Sequence, residues 1–217
     1  MTVRHALLCI AIAFSLFSCS GGSEDSRHTT LLPDSCRLQP GDLLFRRGTS
    51  LASHGVVLAD REGPFSHVGI VVDSAGTMMV VHAVPGEPDY EGDPDRVKME
   101  TPAAFFTPPN AILGEVLRPV DSIAGLKAAA AALATYRRGT LFDHEYDSTD
   151  TTAVYCTQLV VEAYRKAGQE ITGPPTHSYQ FFGIKSTCWL PSDLYRSKQF
   201  TSIMTFKEDS KNSSNKQ

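Results

Sequence analysis

The stretch FSHVGIVVDSAGTMMVVHAV (65–84) constrains the fold more than any other. Two eight-residue runs rich in β-branched and apolar side chains flank DSAG (73–76), whose Asp, Ser and Gly favour a tight turn. The pattern predicts an antiparallel hairpin. It puts His67, near the start of the outgoing strand, and His82, near the end of the returning one, on neighbouring strands. Whether both side chains share a sheet face depends on register, because side chains alternate with a period of two.

The flanking sequence predicts more strands and two helices. PGDLLFRRG (40–48) reads as a turn closed by Asp42 and followed by a short strand, and TSLASHGVVLAD (49–60) as a short helix that leaves His54 in solvent. An acidic loop (85–96) precedes two further strands, RVKME (96–100) and AILGEVLRP (111–119). DSIAGLKAAAAALATYRRG (121–139) has Asp121 or Ser122 as N-cap and Gly139 past its end, with Ile123, Leu126, Ala130 and Leu133 expected on the inner face. The class is α+β, an antiparallel sheet flanked by helices.

VYCTQLVVEAYRKAG (154–168) puts a cysteine at a helix start. Leu159, Ala163 and Ala167 fall on one face with Val160 and Tyr164 beside them, Arg165 and Lys166 point away, and Gly168 stops the helix. Cys156 therefore meets unpaired amides and the positive end of the helix dipole, which predicts a thiol pKa below the usual value of about 8.5. On position alone, the better reading is a small buried core residue.

The 217 residues suit one domain, and a net charge of −4 without a basic stripe argues against a nucleic-acid partner. Residues 1–18 read as a signal peptide: basic Arg4 and His5, then an apolar run (6–17) too short to span a bilayer. LFSC (16–19) is similar to the bacterial lipobox, which implies lipid attachment at Cys19 and a membrane anchor, the alternative being cleavage nearby without lipid. Residues 19–33 then form a flexible tether, 34–206 the folded domain and 207–217 a disordered tail. Cys36 and Cys188 are either a disulfide or two separate thiols. No motif calls for a cofactor. Asp143, His144 and Asp147 in FDHEYD match no zinc spacing, so no metal is expected. That loop reads as a cleft lining in which Asp143 binds a cationic group of the substrate.

GDLLF (41–45), SHVGI (66–70) and the hairpin ending in HA (82–83) resemble the core of the NlpC-type papain-like cell-wall peptidases. The cysteine helix here follows these strands instead of preceding them. That order resembles the permuted YiiX/YaeF-like amidases, whose late motif reads YCTQLV (155–160) in this chain. The resemblance spans about residues 40–168. It implies a permuted papain-like half-barrel with a cysteine-bearing helix packed on it. It also implies Cys156 as nucleophile, His67 as general base, His82 as the group orienting that base, and Tyr155 beside the nucleophile, in contact with substrate. With that context the nucleophile reading of Cys156 displaces the core reading. A helix laid on the face that carries both histidines would bring the three together, and the Cys156 amide would serve as an oxyanion donor.

Three functions follow. The first is a cysteine amidase or peptidase in the bacterial cell envelope, acting on a cell-wall peptide or on an N-acyl or lipid amide. The second is a thiol acyltransferase or phospholipase of the lecithin–retinol acyltransferase type, although that group's NCEHF motif is absent. In that case Phe105, Phe106, Phe181 and Phe182 line an acyl cleft rather than a core. The third is a non-catalytic envelope binding module.

Overall fold

The computed structural model describes residues 30–181 and 184–208. The signal peptide, Cys19, most of the tether, Phe182 and nearly all of the tail lie outside the described residues. The side chain of Phe181 does too.

The elements are β1 (Leu43–Arg47), α1 (Leu51–Ala59), β2 (His67–Ser74), β3 (Thr77–Val84), β4 (Arg96–Glu100), α2 (Pro102–Phe105), β5 (Leu113–Pro119), α3 (Ser122–Arg137), β6 (Leu141–Phe142), β7 (Ala153–Val154), α4 (Cys156–Lys166), β8 (His177–Phe181), β9 (Ile184–Cys188), α5 (Pro191–Tyr195) and β10 (Phe200–Lys207). Eight strands form one sheet in the order β10-β5-β1-β2-β3-β4-β6-β7, and β8 and β9 form a separate hairpin. Every described pairing is antiparallel except β6 with β7.

The β2–β3 turn has Ala75 at φ 54° and Gly76 at φ 85°, with the Asp73 carboxylate accepting from the Gly76 amide at 2.7 Å. Two central residues of positive φ match the right-handed twist of the strands, which is why so short a turn suffices. The register runs from Ser74↔Thr77 to Ile70↔Val81 and stops there.

The sheet divides two cores. One face carries Leu43, Phe45, Val68, Ile70, Val81, Ala83 and Val97 against α3 and α4. The other carries Leu44, Val71 and Val80 against Phe105, Phe106 and Ala111, with Leu31, Leu32 and Cys36 packed on its rim. Phe105 and Phe106 are thus core residues of this second face. Cys36 and Cys188 belong to different cores, and both are free thiols.

The inner face of α3 differs from the expected one. Ala124, Gly125, Ala128, Ala129 and Ala132 face the sheet, while Ile123 and Leu126 are exposed. The helix lies too close for larger side chains. A Cβ on Gly41 would fall 2.5 Å from the Gly125 Cα, and one on Gly125 would fall 2.6 Å from Pro119. Gly41 also sits at φ +94° and its carbonyl accepts from the Tyr164 hydroxyl at 2.8 Å, so one turn locates both helices. Gly41→Ala is expected to cost about 3 kcal/mol by overpacking and backbone strain. The loss will appear as a lower denaturant midpoint. An unchanged midpoint would contradict the close approach.

Candidate active site

α4 begins as the sequence predicts. Tyr155 is its N-cap, with its amide donating to the Gln158 side chain at 3.4 Å, and Gly168 at φ +84° ends it. Two side chains flanking Cys156 grip one segment: the Tyr155 hydroxyl accepts from the Trp189 amide at 2.9 Å, and the Thr157 hydroxyl donates to the Trp189 carbonyl at 2.7 Å. Tyr155 is buried and borders the cleft, so its described bonds hold the helix start and the Trp189 segment together.

The helix does not lie on the histidine face. Val81 and Ala83 point into the α3–α4 core, so His82 between them points the other way, against Phe105. The His67 ring also lies against Phe105. Cys156 and His67 instead border the same cavity, beside the end of the β2–β3 ladder. The β2–β3 ladder begins only at Ile70–Val81, leaving His67 and Val68 unpaired with β3. The Val71 amide bonds to the Asp42 carbonyl on the β1 side, so by alternation the Val68 amide faces the β3 side, where it is directed at the Cys156 thiol. Cys156, Ser66, His67, Ala83 and Val84 line one cavity of about 220 Å³.

Behind His67 runs a chain of polar contacts. His67 Nε2 and His82 Nδ1 are 2.9 Å apart. His82 Nε2 lies 3.1 Å from Glu100 Oε1, at ion-pair distance though not aligned as a hydrogen bond. Arg46, 3% exposed, lies beside them: it donates to Glu87 at 2.6 Å and to the Phe105 carbonyl at 3.0 Å, stands 3.7 Å from Glu100 and covers the Phe105 ring. Gly69 is required where it stands, because a Cβ there would meet Val80 at 2.6 Å and His82 and Phe105 at 3.2 Å.

Burial dominates the electrostatics. It holds His67 well below the usual 6.5, helped by Arg46 and then by His82. Burial also lowers His82, against the opposing pull of Glu100. Glu100 is itself desolvated, but contact with His82, and Arg46 beyond it, hold it ionised. The thiol expectation is reversed. Burial pushes Cys156 up to about 11, outweighing the amides of Val68, Thr157 and Cys156 itself. The helix-start dipole is present, but desolvation in the cavity wall penalises the thiolate more than three amides favour it. Resting thiol and imidazole are both neutral.

The ionised end of the chain sets the tautomers. A neutral His82 with its Nε2–H on the Glu100 side has a bare Nδ1, which accepts from His67 Nε2–H and leaves His67 Nδ1 unprotonated.

Asp143 is not part of this cavity. Its carboxylate accepts from the amides of Glu145 at 2.8 Å and Asp147 at 2.7 Å, which shapes its own loop. His144 and His54 are exposed. Among the described residues no group of three or more His, Cys, Asp or Glu is placed to hold a metal ion. Sequence reasoning missed Arg46, which carries no motif of its own, and Ser53. The serines of the two short SH repeats meet, with Ser53 and Ser66 hydroxyls 2.6 Å apart, and so fasten α1 to the start of β2.

No protein family and no curated protein matches the chain. The chain shares its fold with a solved structure described as the metalloprotein yiiX from Escherichia coli O157:H7, DUF1105. The TM-score is 0.63 at 18% identity, over 80% of this chain and 100% of that one. The likeness shows a mixed α/β fold built on a large sheet with few helices.

Proposed function

We propose that the protein is a permuted papain-like cysteine hydrolase that cleaves an amide bond through a thioacyl-enzyme at Cys156. The observation that carries this reading is the joint lining of one cavity by Cys156 and His67, with His67 backed by His82 and Glu100. His67 Nδ1 takes the thiol proton as sulfur adds to the substrate carbonyl carbon. The Cys156 amide, at the helix start, donates to the developing oxyanion. His67 then returns the proton to the leaving nitrogen as the C–N bond breaks. Water, deprotonated by His67, hydrolyses the thioester, releasing the acid and restoring the thiol. His82 keeps His67 in the required tautomer. Glu100 offsets the positive charge that the pair acquires in transit.

We place the protein in the bacterial cell envelope, held by a lipid on Cys19, with a cell-wall peptide or an N-acyl or lipid amide as substrate. No described helix is long and apolar enough to cross a membrane. Detergent partitioning of wild type and Cys19→Ala tests the anchor: the variant should move to the aqueous phase, and equal partitioning would remove the lipid.

A thiol pKa of about 11 makes the proton transfer part of the attack, not a preformed ion pair. Thiolate is the reactive form, so iodoacetamide alkylation of Cys156 in the folded protein should be slow at neutral pH and rise through an inflection near 11. Turnover should have an acid limb below 6.5, where His67 becomes protonated, and stay level from there into the alkaline range. An alkylation inflection below about 8.5 would mean a preformed thiolate. The acyltransferase or phospholipase reading draws on the apolar cavity wall, and cleavage of acyl esters without any amide activity would favour it. The binding-module reading draws on the unreactive resting thiol.

A further inference from the structure

We propose that the domain lies on an anionic phospholipid bilayer through the outer face of α3, with the exposed apolar residues of that helix at the headgroup–acyl boundary and a lipid phosphate in the cavity beside its C-terminal end. The inference is independent of the hydrolase reading. It gives an orientation to a domain that a lipid on Cys19 only holds nearby.

α3 is apolar on both sides, and its larger residues point away from the sheet. The side packed on the sheet is Ala124, Gly125, Ala128, Ala129 and Ala132, as the close approach at Gly41 demands. On the other side Ile123 is 66% exposed and Leu126 59%, and Val120 just before the helix is 69% exposed. A helix that is apolar all round is ordinarily covered. Leu126, Ala130, Ala134 and Arg138 stand four residues apart and are all exposed, so they form one row along the helix.

Charge selects the partner. Ser122–Arg137 holds no Asp or Glu, in a chain of net charge −4, while Lys127 and Arg137 are exposed on it and Arg138 follows. The carboxylate at its start, Asp121, is engaged as the N-cap, accepting from the Ile123 and Ala124 amides at 2.9 and 3.0 Å. Where the row ends, Arg138 and Lys166 of α4 line a cavity of about 300 Å³ with Thr135, Thr140 and Thr151. Arg138 donates to the Thr135 hydroxyl at 3.1 Å, and neither cation has an ion pair among the described residues. Glu162 on the same wall is held by Arg165. Unmatched cations beside an apolar stripe are what an anionic lipid surface recognises. α1 exposes Leu51 and Leu58 as well, but it carries no Lys or Arg.

The test puts a tryptophan on the row: Ile123→Trp with Trp189→Phe in the full chain, which leaves one tryptophan. The apolar run 6–17 can reach a vesicle by itself, so the readout is position and not binding as such. With vesicles of equal parts phosphatidylglycerol and phosphatidylcholine, brominated acyl chains should quench this tryptophan and shift its emission to the blue. Leu58→Trp in the same background should remain unquenched. Arg138→Gln with Lys166→Gln should raise the lipid concentration for half-quenching about twenty-fivefold, at about fivefold per cation. Wild type gives a second reading free of any folding defect: the vesicles should lower hydroxyl-radical oxidation of Ile123 and Leu126 severalfold and leave Leu51 and Leu58 unchanged. Unquenched emission at 123 with unchanged oxidation of Ile123 and Leu126 would overturn the proposal. So would an emission shift that follows protein concentration without lipid, which would mean that a second copy covers the face. Equal quenching in pure phosphatidylcholine, indifferent to the Gln substitutions, would overturn the phosphate site.

Discussion

His67→Ala should lower kcat/KM by about a thousandfold or more while the protein stays folded, because it removes the ring that lines the cavity and contacts His82 behind it. His82→Ala should cost less, about ten- to a hundredfold, since the base remains but its tautomer is no longer held. His82→Gln should recover part of that loss, because a Gln oxygen can accept from His67 Nε2–H where His82 Nδ1 accepts now. Steady-state kinetics on an N-acyl amide decide this. Equal losses in His67→Ala and His82→Ala, unrescued by Gln, would mean the two roles are assigned wrongly. Full activity in His82→Ala would make it a packing residue against Phe105.

A large loss of stability should come from Arg46→Met. Its guanidinium is almost fully buried, and its removal strands Glu87 and Glu100, whose side chains are only 26% and 28% exposed. Breaking a buried ion pair by deleting one partner costs about 3–5 kcal/mol; partial exposure of the carboxylates puts this case near the lower figure. The same change has a readout that lost packing alone would not move. Arg46 helps to hold His67 down, so its loss should raise the His67 pKa and shift the acid limb of turnover to higher pH. A stable Arg46→Met protein with an unmoved acid limb would contradict the electrostatic account.

The histidine burial has a further consequence for wild type. His67 and His82 both bind protons less readily in the folded chain than at the usual 6.5. Below that pH the unfolded chain takes up more protons, so stability is retained above about 6.5 and lost as pH falls through the window beneath it. The thermal midpoint should drop between pH 7 and pH 5, and drop less in His67→Ala.

The hairpin, the β4 span and the cysteine helix were legible because local pattern decides them: β-branched runs around a turn of positive φ, a short alternating strand, an apolar stripe ended by a glycine. The inner face of α3 was not, because Ile123 and Leu126 outrank alanine on hydrophobicity, yet only alanine and glycine fit where the Gly41 and Gly125 backbones meet. β10 carries no motif or flanking turn signal of its own, and as an exposed edge strand whose apolar and polar residues do not alternate strictly it is hard to read from sequence. At the candidate site the motifs single out Cys156, His67 and His82, but three features needed the third dimension. These are the helix standing on the face opposite the histidines, the end of the β2–β3 ladder beside the cavity, and the desolvation that turns an expected thiolate into a thiol. Glu100 lies on β4 opposite Val80, and no spacing along the chain announces that it closes the relay.

The central claim is that Cys156 is the nucleophile. The direct measurement is hydrolysis of an N-acyl amide by Cys156→Ala beside Cys36→Ala and Cys188→Ala, with the intact mass of wild type recorded after rapid acid quench. The account predicts a loss of about ten-thousandfold or more in Cys156→Ala alone. It also predicts a wild-type adduct of one acyl group on the peptide containing Cys156. Cys156→Ala retaining a tenth of wild-type activity, or an adduct mapped to Cys36 or Cys188, would contradict it.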